Sequence, residues 1–130
     1  MKVEFKNIYK NFGAVQALED VSFNVPEAQI LGLLGENGAG KSTLMNILSG
    51  QLKMDKGSLT FEGKSYVPAS PTEAYETGIS SAAQELSIIG SLSVAENILL
   101  RKLPHKWTFL SKSKLETTAR QFLDLVGLEN

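Results

Sequence analysis

The sequence predicts one α/β domain, and three features of its 130 residues indicate this fold class. Two segments near the start alternate apolar and polar residues, as half-buried strands do. A continuous apolar run is then followed by a glycine-rich turn and a helix-like segment. Three serine-to-glutamate capping patterns mark further helices downstream. Strands, then a strand–loop–helix unit, then helices mixed with strands are the order typical of an α/β fold.

The first half of the chain carries most of the strand patterns. Alternation predicts strands at 2–6 and 21–25. Residues 30–34, Ile-Leu-Gly-Leu-Leu, are apolar on both faces, which is typical of a strand buried inside a parallel sheet. A helix is expected over 43–49, with Gly50 at its C-cap.

The second half is mostly helical. A strand at 59–61 and a turn at 62–64 come first, and 79–83 reads as a second short strand. Helix starts are predicted at the capping pairs Ser70 with Glu73, Ser93 with Glu96, and Ser113 with Glu116. The apolar stripe of the last helix is formed by Leu115, Ala119, Phe122, Leu123 and Val126, and Gly127 is expected to close it.

Composition excludes several functional classes. There is no cysteine, so disulfide scaffolds, zinc-thiolate sites and thiol catalysis are excluded. The net charge is −1, which argues against nucleic acid as a partner and against a general anionic-membrane surface. No apolar run approaches the roughly 18 residues that cross a bilayer, so direct membrane insertion is not expected. The N-terminal segment does not resemble a secretory signal.

The nine residues from 35 to 43 decide the functional class. They contain the phosphate-binding loop pattern G-x-x-x-x-G-K-[ST], and the predicted nucleotide-binding residues are Gly35, Glu36, Asn37, Gly38, Ala39, Gly40, Lys41, Ser42 and Thr43. The glycines let backbone N–H groups approach phosphate oxygens. Lys41 supplies an ammonium for the β- and γ-phosphates, and the Ser42 hydroxyl is a hard oxygen ligand for Mg²⁺. The sequence therefore predicts binding of a nucleotide with Mg²⁺.

These residues also carry a resemblance to a known family. The segment Gly-Glu-Asn-Gly-Ala-Gly-Lys-Ser-Thr-Leu-Met with the later Ile-Leu-Ser-Gly resembles the ATP-binding subunits of ABC transporters, most of all the ribose, galactose and xylose type of sugar importers. The opening segment 10–18 and the segments 83–87 and 92–98 resemble the same family. The resemblance implies a P-loop NTPase core of the ABC type with an antiparallel β subdomain.

Two further roles are implied by the resemblance. Phe12, the aromatic residue before Gly13, is expected to stack on the adenine ring, an interaction worth about 1–3 kcal/mol for a base on an aromatic side chain. The alternatives are that Phe12 is a core aromatic, or that Tyr9 is the residue in question. Gln84 is expected to complete the Mg²⁺ shell with its amide oxygen and to couple the site to membrane subunits.

Hydrolysis needs parts that the sequence does not display. A second carboxylate on Mg²⁺ normally ends an apolar strand, and the nearest match, 122–125, has the spacing of an amphipathic helix. Residues 48–51, Leu-Ser-Gly-Gln, imitate half of the family's signature but are expected to end the P-loop helix. His105 is interpreted as a surface loop residue rather than the family's switch histidine. No catalytic residue is therefore predicted, and ATP hydrolysis by the chain alone is not expected.

The chain is consequently interpreted as a C-terminally truncated ABC ATP-binding domain. We expect a β subdomain and P-loop core over 1–92 and the start of a helical subdomain over 93–130. The resemblance implies permease subunits and a second ATP-binding domain as partners, and a cytoplasmic position on the inner face of the membrane. The alternatives are a non-functional remnant and the nucleotide-binding module of a soluble ABC protein.

Overall fold

The computed structural model describes residues 2–82, 88–100 and 112–128. They belong to two compact units, Met1–Ala82 and Ala83–Asn130. Each unit has buried side chains of its own and is described by itself. The domain boundary that the sequence suggests stays a prediction.

An antiparallel sheet dominates the first unit. Its four strands are β1 (Val3–Phe12), β2 (Val15–Val25), β3 (Lys56–Phe61) and β4 (Lys64–Ser65). They lie in the order β2-β1-β3-β4, and every neighbouring pair is antiparallel. The predicted antiparallel β subdomain is confirmed. The strands β1, β2 and β3 are each longer than the segments 2–6, 21–25 and 59–61 that the sequence predicted.

A register irregularity in β1 explains its burial pattern. Phe5 and Ile8 are both almost fully buried although they are three residues apart. Successive residues of a regular strand face opposite sides, so two residues three apart would not share a face. The pairing of β1 with β2 shifts between these two residues, which lets both side chains reach the core. Leu59 of β3 is buried with them, and the rings of Phe5 and Phe23 stack with centroids 4.5 Å apart.

Two helices accompany this sheet. Helix α1 (Lys41–Leu48) buries Leu44 and Ile47 in the same core as the strands, and the predicted helix is confirmed. Gly50 follows it with φ of +73°, as expected for a residue that ends a helix. Helix α2 (Pro71–Glu76) begins as predicted, because the Ser70 hydroxyl accepts a hydrogen bond from the Glu73 N–H at 3.3 Å.

Two predicted strands of this unit are wrong. Residues 30–34 form no strand, and Ile30 and Leu34 are 103% and 93% exposed. A pattern that is apolar on both faces needs neighbours on both sides, and the sheet of the described residues pairs no strand with this segment. Residues 79–82 also lie outside the sheet; Ile79 instead packs against the core as it leaves α2. Ala83 lies outside the described residues.

The second unit is helical in its described part. Helix α3 (Val94–Leu99) starts with a complete capping box at Ser93 and Glu96, as predicted. Helix α4 (Lys112–Leu125) packs against it and buries Leu115 and Ala119 together with Leu99. The predicted apolar stripe is therefore confirmed at these two positions of α4.

The ends of α4 differ from the expectation in two respects. Ser113 is already the second residue of the described helix, so it is not the N-cap. Its carbonyl accepts a hydrogen bond from the Thr117 hydroxyl at 2.8 Å. Val126 lies past the last helical residue and is exposed. Gly127 closes the helix as predicted, with φ of +71°. Among the described residues no helix is long and apolar enough to span a membrane.

Candidate nucleotide-binding site

The glycine-rich loop leads directly into α1. Gly38 and Gly40 have φ values of +88° and +83°, which L-residues with a side chain rarely adopt. Gly40 is the N-cap of α1 and offers no side-chain hydrogen bond to the helix. The first N–H groups of a helix have no partner within it, so they are available to an acceptor in front of this end.

Lys41 folds back over the loop. Its Nζ atom donates hydrogen bonds to the carbonyl oxygens of Gly35 and Glu36, both at 2.6 Å. Within the loop, the Ala39 N–H donates a hydrogen bond to the Glu36 carbonyl at 3.2 Å, which closes a turn over residues 36–39. The ammonium is thereby held beside the loop backbone at the positive end of α1, where an anion is stabilised.

The end of the loop is pressed against β2. A β-carbon on Gly40 would lie 2.5 Å from the carbonyl oxygen of Ala17 and 2.6 Å from the Cδ2 atom of Leu18. By contrast, a β-carbon on Gly38 would have no atom within 4 Å, so the space beside that glycine is open. Position 40 therefore requires glycine for two reasons: its positive φ and its close approach to the sheet.

Phe12 lies at the end of the hairpin on which the loop rests. It is the last residue of β1 and pairs with Val15, while Leu18 pairs with Lys10 of β1. Phe12 is 47% exposed, so it is not buried in the core. The Nζ atom of Lys10 lies 5.6 Å from the ring centroid, within the range of a cation–π contact.

The loop has features that phosphate-binding loops use. These are glycines at positive φ and the Lys41 ammonium beside the loop backbone. Ser42 is exposed at the start of α1, and its hydroxyl is the candidate Mg²⁺ ligand there. Among the described residues no group of three or more His, Cys, Asp or Glu side chains could hold a metal ion by itself.

Three more candidates from the sequence are Gln84, His105 and residues 48–51. Gln84 and His105 both lie outside the described residues. Residues 48–51 end α1, as expected: Leu48 is its last residue, and the buried Ser49 accepts a hydrogen bond from the Gln51 amide at 3.1 Å.

One residue near the site was not singled out from the sequence. The carboxylate of Asp55 binds the end of β1 just before Phe12, through Lys10 and Asn11. Asp55 is separated from these residues by 45 and 44 positions, so no local pattern links them.

Comparison with known proteins identifies a family. Residues 18–130 match the family model described as ABC transporter. The chain is 41% identical over 129 residues to the ribose import ATP-binding protein RbsA of Bacillus licheniformis, covering 98% of this chain and 26% of that protein. It is 41% identical over 122 residues to the xylose/arabinose import ATP-binding protein XylG of Sulfolobus acidocaldarius, covering 94% of this chain and 49% of that protein.

A solved structure agrees with the sequence relatives. The ADP conformation of an ATP-binding cassette of an ABC transporter superposes with a TM-score of 0.81 at 31% sequence identity, covering 98% of this chain and 55% of that chain. The chain therefore spans between about a quarter and about half of the length of the curated relatives it matches.

Proposed function

This chain belongs to the ABC transporter family, and from that premise we propose that it binds MgATP through the loop 35–43. The observation that carries the proposal is the Lys41 ammonium, held 2.6 Å from two loop carbonyls at the N-terminal end of α1. A bound triphosphate offers this ammonium charged oxygen acceptors, which form stronger hydrogen bonds than neutral carbonyls do. The helix N–H groups and the loop glycines supply the remaining contacts to phosphate oxygens.

Three further residues bind the metal ion or the base in this proposal. The Ser42 hydroxyl is an oxygen ligand for Mg²⁺, and Gln84 is proposed as a second one. Phe12 stacks on the adenine ring, which its exposure at the end of β1 allows. Mg²⁺ would neutralise phosphate charge at this place.

Isothermal titration with MgATP tests the proposal. The Lys41→Ala variant is expected to bind about 10- to 100-fold more weakly, because hydrogen bonds to charged groups are worth about 1.5–3 kcal/mol. The matched control is Lys53→Ala, which removes another lysine of the same unit between α1 and β3. Equal affinities of wild type and Lys41→Ala contradict the assignment.

We further propose that the chain provides the nucleotide-binding part of the energy-coupling ATPase of a carbohydrate importer. The names of its relatives, which are ribose and xylose/arabinose import proteins, support this substrate class. In this proposal the chain works with transmembrane permease subunits and a second ATP-binding domain, at the cytoplasmic face of the membrane.

A chimera tests the transport proposal. The matching segment of the ribose import protein is replaced by this chain, and ribose uptake is measured in cells that lack the native protein. We expect uptake with the wild-type segment and none with the Lys41→Ala segment. Stable expression of a chimera that binds ATP but gives no ribose uptake would contradict the transport role while leaving nucleotide binding intact.

A further inference from the structure

Asp55 contacts three successive residues at the end of β1. Its Oδ2 atom accepts a hydrogen bond from the Asn11 N–H at 2.7 Å, and its Oδ1 atom accepts one from Lys10 Nζ at 2.8 Å. Its own N–H donates to the Tyr9 carbonyl at 2.9 Å. The next residue of β1 is Phe12. Asp55 thus fixes backbone and side chain directly before the exposed ring.

The sheet itself does not hold this stretch on both sides. The pairing of β1 with β3 ends at Tyr9, so the last residues of β1 pair with β2 only. That pairing is irregular, because the register shifts between Lys10 and Asn11. The Asp55 carboxylate satisfies the Asn11 N–H on the side that β3 leaves uncovered. It replaces a missing ladder bond at the point where β1 is least supported.

Lys10 connects the Asp55 carboxylate to the Phe12 ring. Its Nζ atom binds the Asp55 carboxylate and lies over one face of Phe12, 5.6 Å from the centroid. The lysine side chain is only 15% exposed, which shows that it is packed rather than free in solvent. A flat base that stacks on Phe12 therefore meets a half-exposed ring that has the Lys10 ammonium over one of its faces.

We propose that Asp55 is a positioning residue for nucleotide binding: it fixes the end of β1 and the Lys10 side chain so that Phe12 offers one defined face to the base. This inference rests on the proposed binding of MgATP at the loop 35–43. The Asp55 side chain is 37% exposed, and an ion pair with one solvent-exposed partner contributes little to stability by itself. The specific consequence is that Asp55 acts on the base and leaves the phosphates unaffected.

Two ligands separate these effects: MgATP and magnesium tripolyphosphate, which has the phosphates without the base. Each ligand is titrated into the full chain and its variants. Phe12→Ala is expected to weaken MgATP binding about 5- to 100-fold, the range for one stacked base. Asp55→Ala is expected to weaken it about three- to tenfold, part of the stacking contribution. Neither variant changes the affinity for tripolyphosphate. Asp124→Asn, which alters a carboxylate of α4 in the other unit, is the control and changes neither.

The double variant Phe12→Ala/Asp55→Ala makes the test sharper. If Asp55 acts through the ring, the double variant binds MgATP no more weakly than Phe12→Ala alone. Equal losses for MgATP and tripolyphosphate in Asp55→Ala overturn the inference, as do independent, multiplying losses in the double variant. Wild-type chain that fails to bind MgATP contradicts the proposed function itself, which is a separate result.

A nuclear Overhauser measurement decides the inference without relying on affinity. In the wild-type chain, contacts are expected between the ε-methylene protons of Lys10 and the ring protons of Phe12, and they persist with MgATP bound. In Asp55→Ala these contacts are lost, whereas the contacts between the stacked rings of Phe5 and Phe23 remain. Unchanged contacts between Lys10 and Phe12 in Asp55→Ala overturn the proposal, even where the variant is less stable.

Discussion

A β-carbon added to Gly40 would lie 2.5 Å from the carbonyl oxygen of Ala17, closer than any real β-carbon contact. Because Gly40 is the N-cap of α1, this approach joins the glycine-rich loop to the β1–β2 hairpin, in which Phe12 is the last residue of β1. The close contact is therefore the link between the two halves of the proposed site, one for phosphates and one for the base.

Substitution of this glycine is expected to be costly. Gly40→Ala combines a positive φ, worth about 1–2 kcal/mol, with overpacking, worth about 1–3 kcal/mol. The matched control is Gly38→Ala, which has nearly the same φ but no atom within 4 Å of the new β-carbon. Urea denaturation should show a loss of about 2–5 kcal/mol for Gly40→Ala and about 1–2 kcal/mol for Gly38→Ala. Equal losses for both would mean that the contact with Ala17 is unimportant.

The exposed segment 30–34 predicts poor solution behaviour of the isolated chain. Apolar side chains without strand neighbours favour association between molecules. We expect the chain to bind the dye ANS, to self-associate at micromolar concentration and to melt below about 55 °C. A monodisperse monomer with a sharp melt above that temperature would contradict this expectation.

A pair of lysine substitutions assigns that behaviour to the segment. Ile30→Lys/Leu34→Lys should reduce ANS fluorescence and the aggregated fraction in gel filtration, because both side chains are almost fully exposed. The control is Val126→Lys/Leu128→Lys, which replaces two exposed apolar residues after α4. If the control pair reduces association as much as the first pair, another surface is responsible.

The capping box of α3 predicts a pH dependence. The Ser93 hydroxyl and the Ser93 N–H both donate to the Glu96 carboxylate at 2.7 Å, and these bonds, with a smaller effect of Lys112, lower the Glu96 pKa below its ordinary 4.5. A lowered pKa in the folded state stabilises the fold above the ordinary value, and this stability is lost as the pH falls through the folded pKa.

Circular dichroism between pH 7 and pH 2 measures the effect. Wild type should lose helix stability as the pH falls below about 4.5. Glu96→Gln should be less stable at neutral pH and less dependent on pH in that range. Glu116→Gln, an exposed residue of α4, is the control and should follow wild type. A pH profile of Glu96→Gln that matches wild type would remove Glu96 as the cause.

Hydrolysis is expected to be negligible for the chain alone. By resemblance, the family forms its catalytic site between two ATP-binding domains, and the sequence displays no carboxylate strand that would hold Mg²⁺ for the reaction. Phosphate release in the presence of MgATP should stay at background. Turnover of about 1 s⁻¹ that disappears in Lys41→Ala would contradict this prediction.

Local patterns in the sequence were sufficient for the elements whose causes are local. The helix after the loop, the serine N-caps at Ser70 and Ser93 and the closing glycine at 127 depend on residues within one or two turns. Ser113 shows the limit of such a pattern, because the same serine–glutamate spacing also occurs inside a helix that begins earlier.

Long-range contacts were not accessible in the same way. The apolar run 30–34 has the composition of a buried strand, but such a pattern cannot show whether neighbouring strands are present, and the segment is exposed and unpaired. The bond from Asp55 to the end of β1 joins residues more than 40 positions apart and has no periodicity of its own. The close approach of Gly40 to β2 is likewise a property of the packed structure. The phosphate-loop pattern already requires a glycine at this position, so the sequence gives no separate sign of the contact.

The central claim is that MgATP binds at the loop 35–43, and its most direct test is a titration followed by ¹H–¹⁵N correlation spectra. The account predicts that the largest shifts occur at the amides of 35–43, with smaller ones at Phe12 and its strand neighbours. The same titration of Lys41→Ala should give much weaker changes at equal ligand concentration. No shifts at saturating MgATP, or shifts that are largest in α3 and α4, would contradict the account.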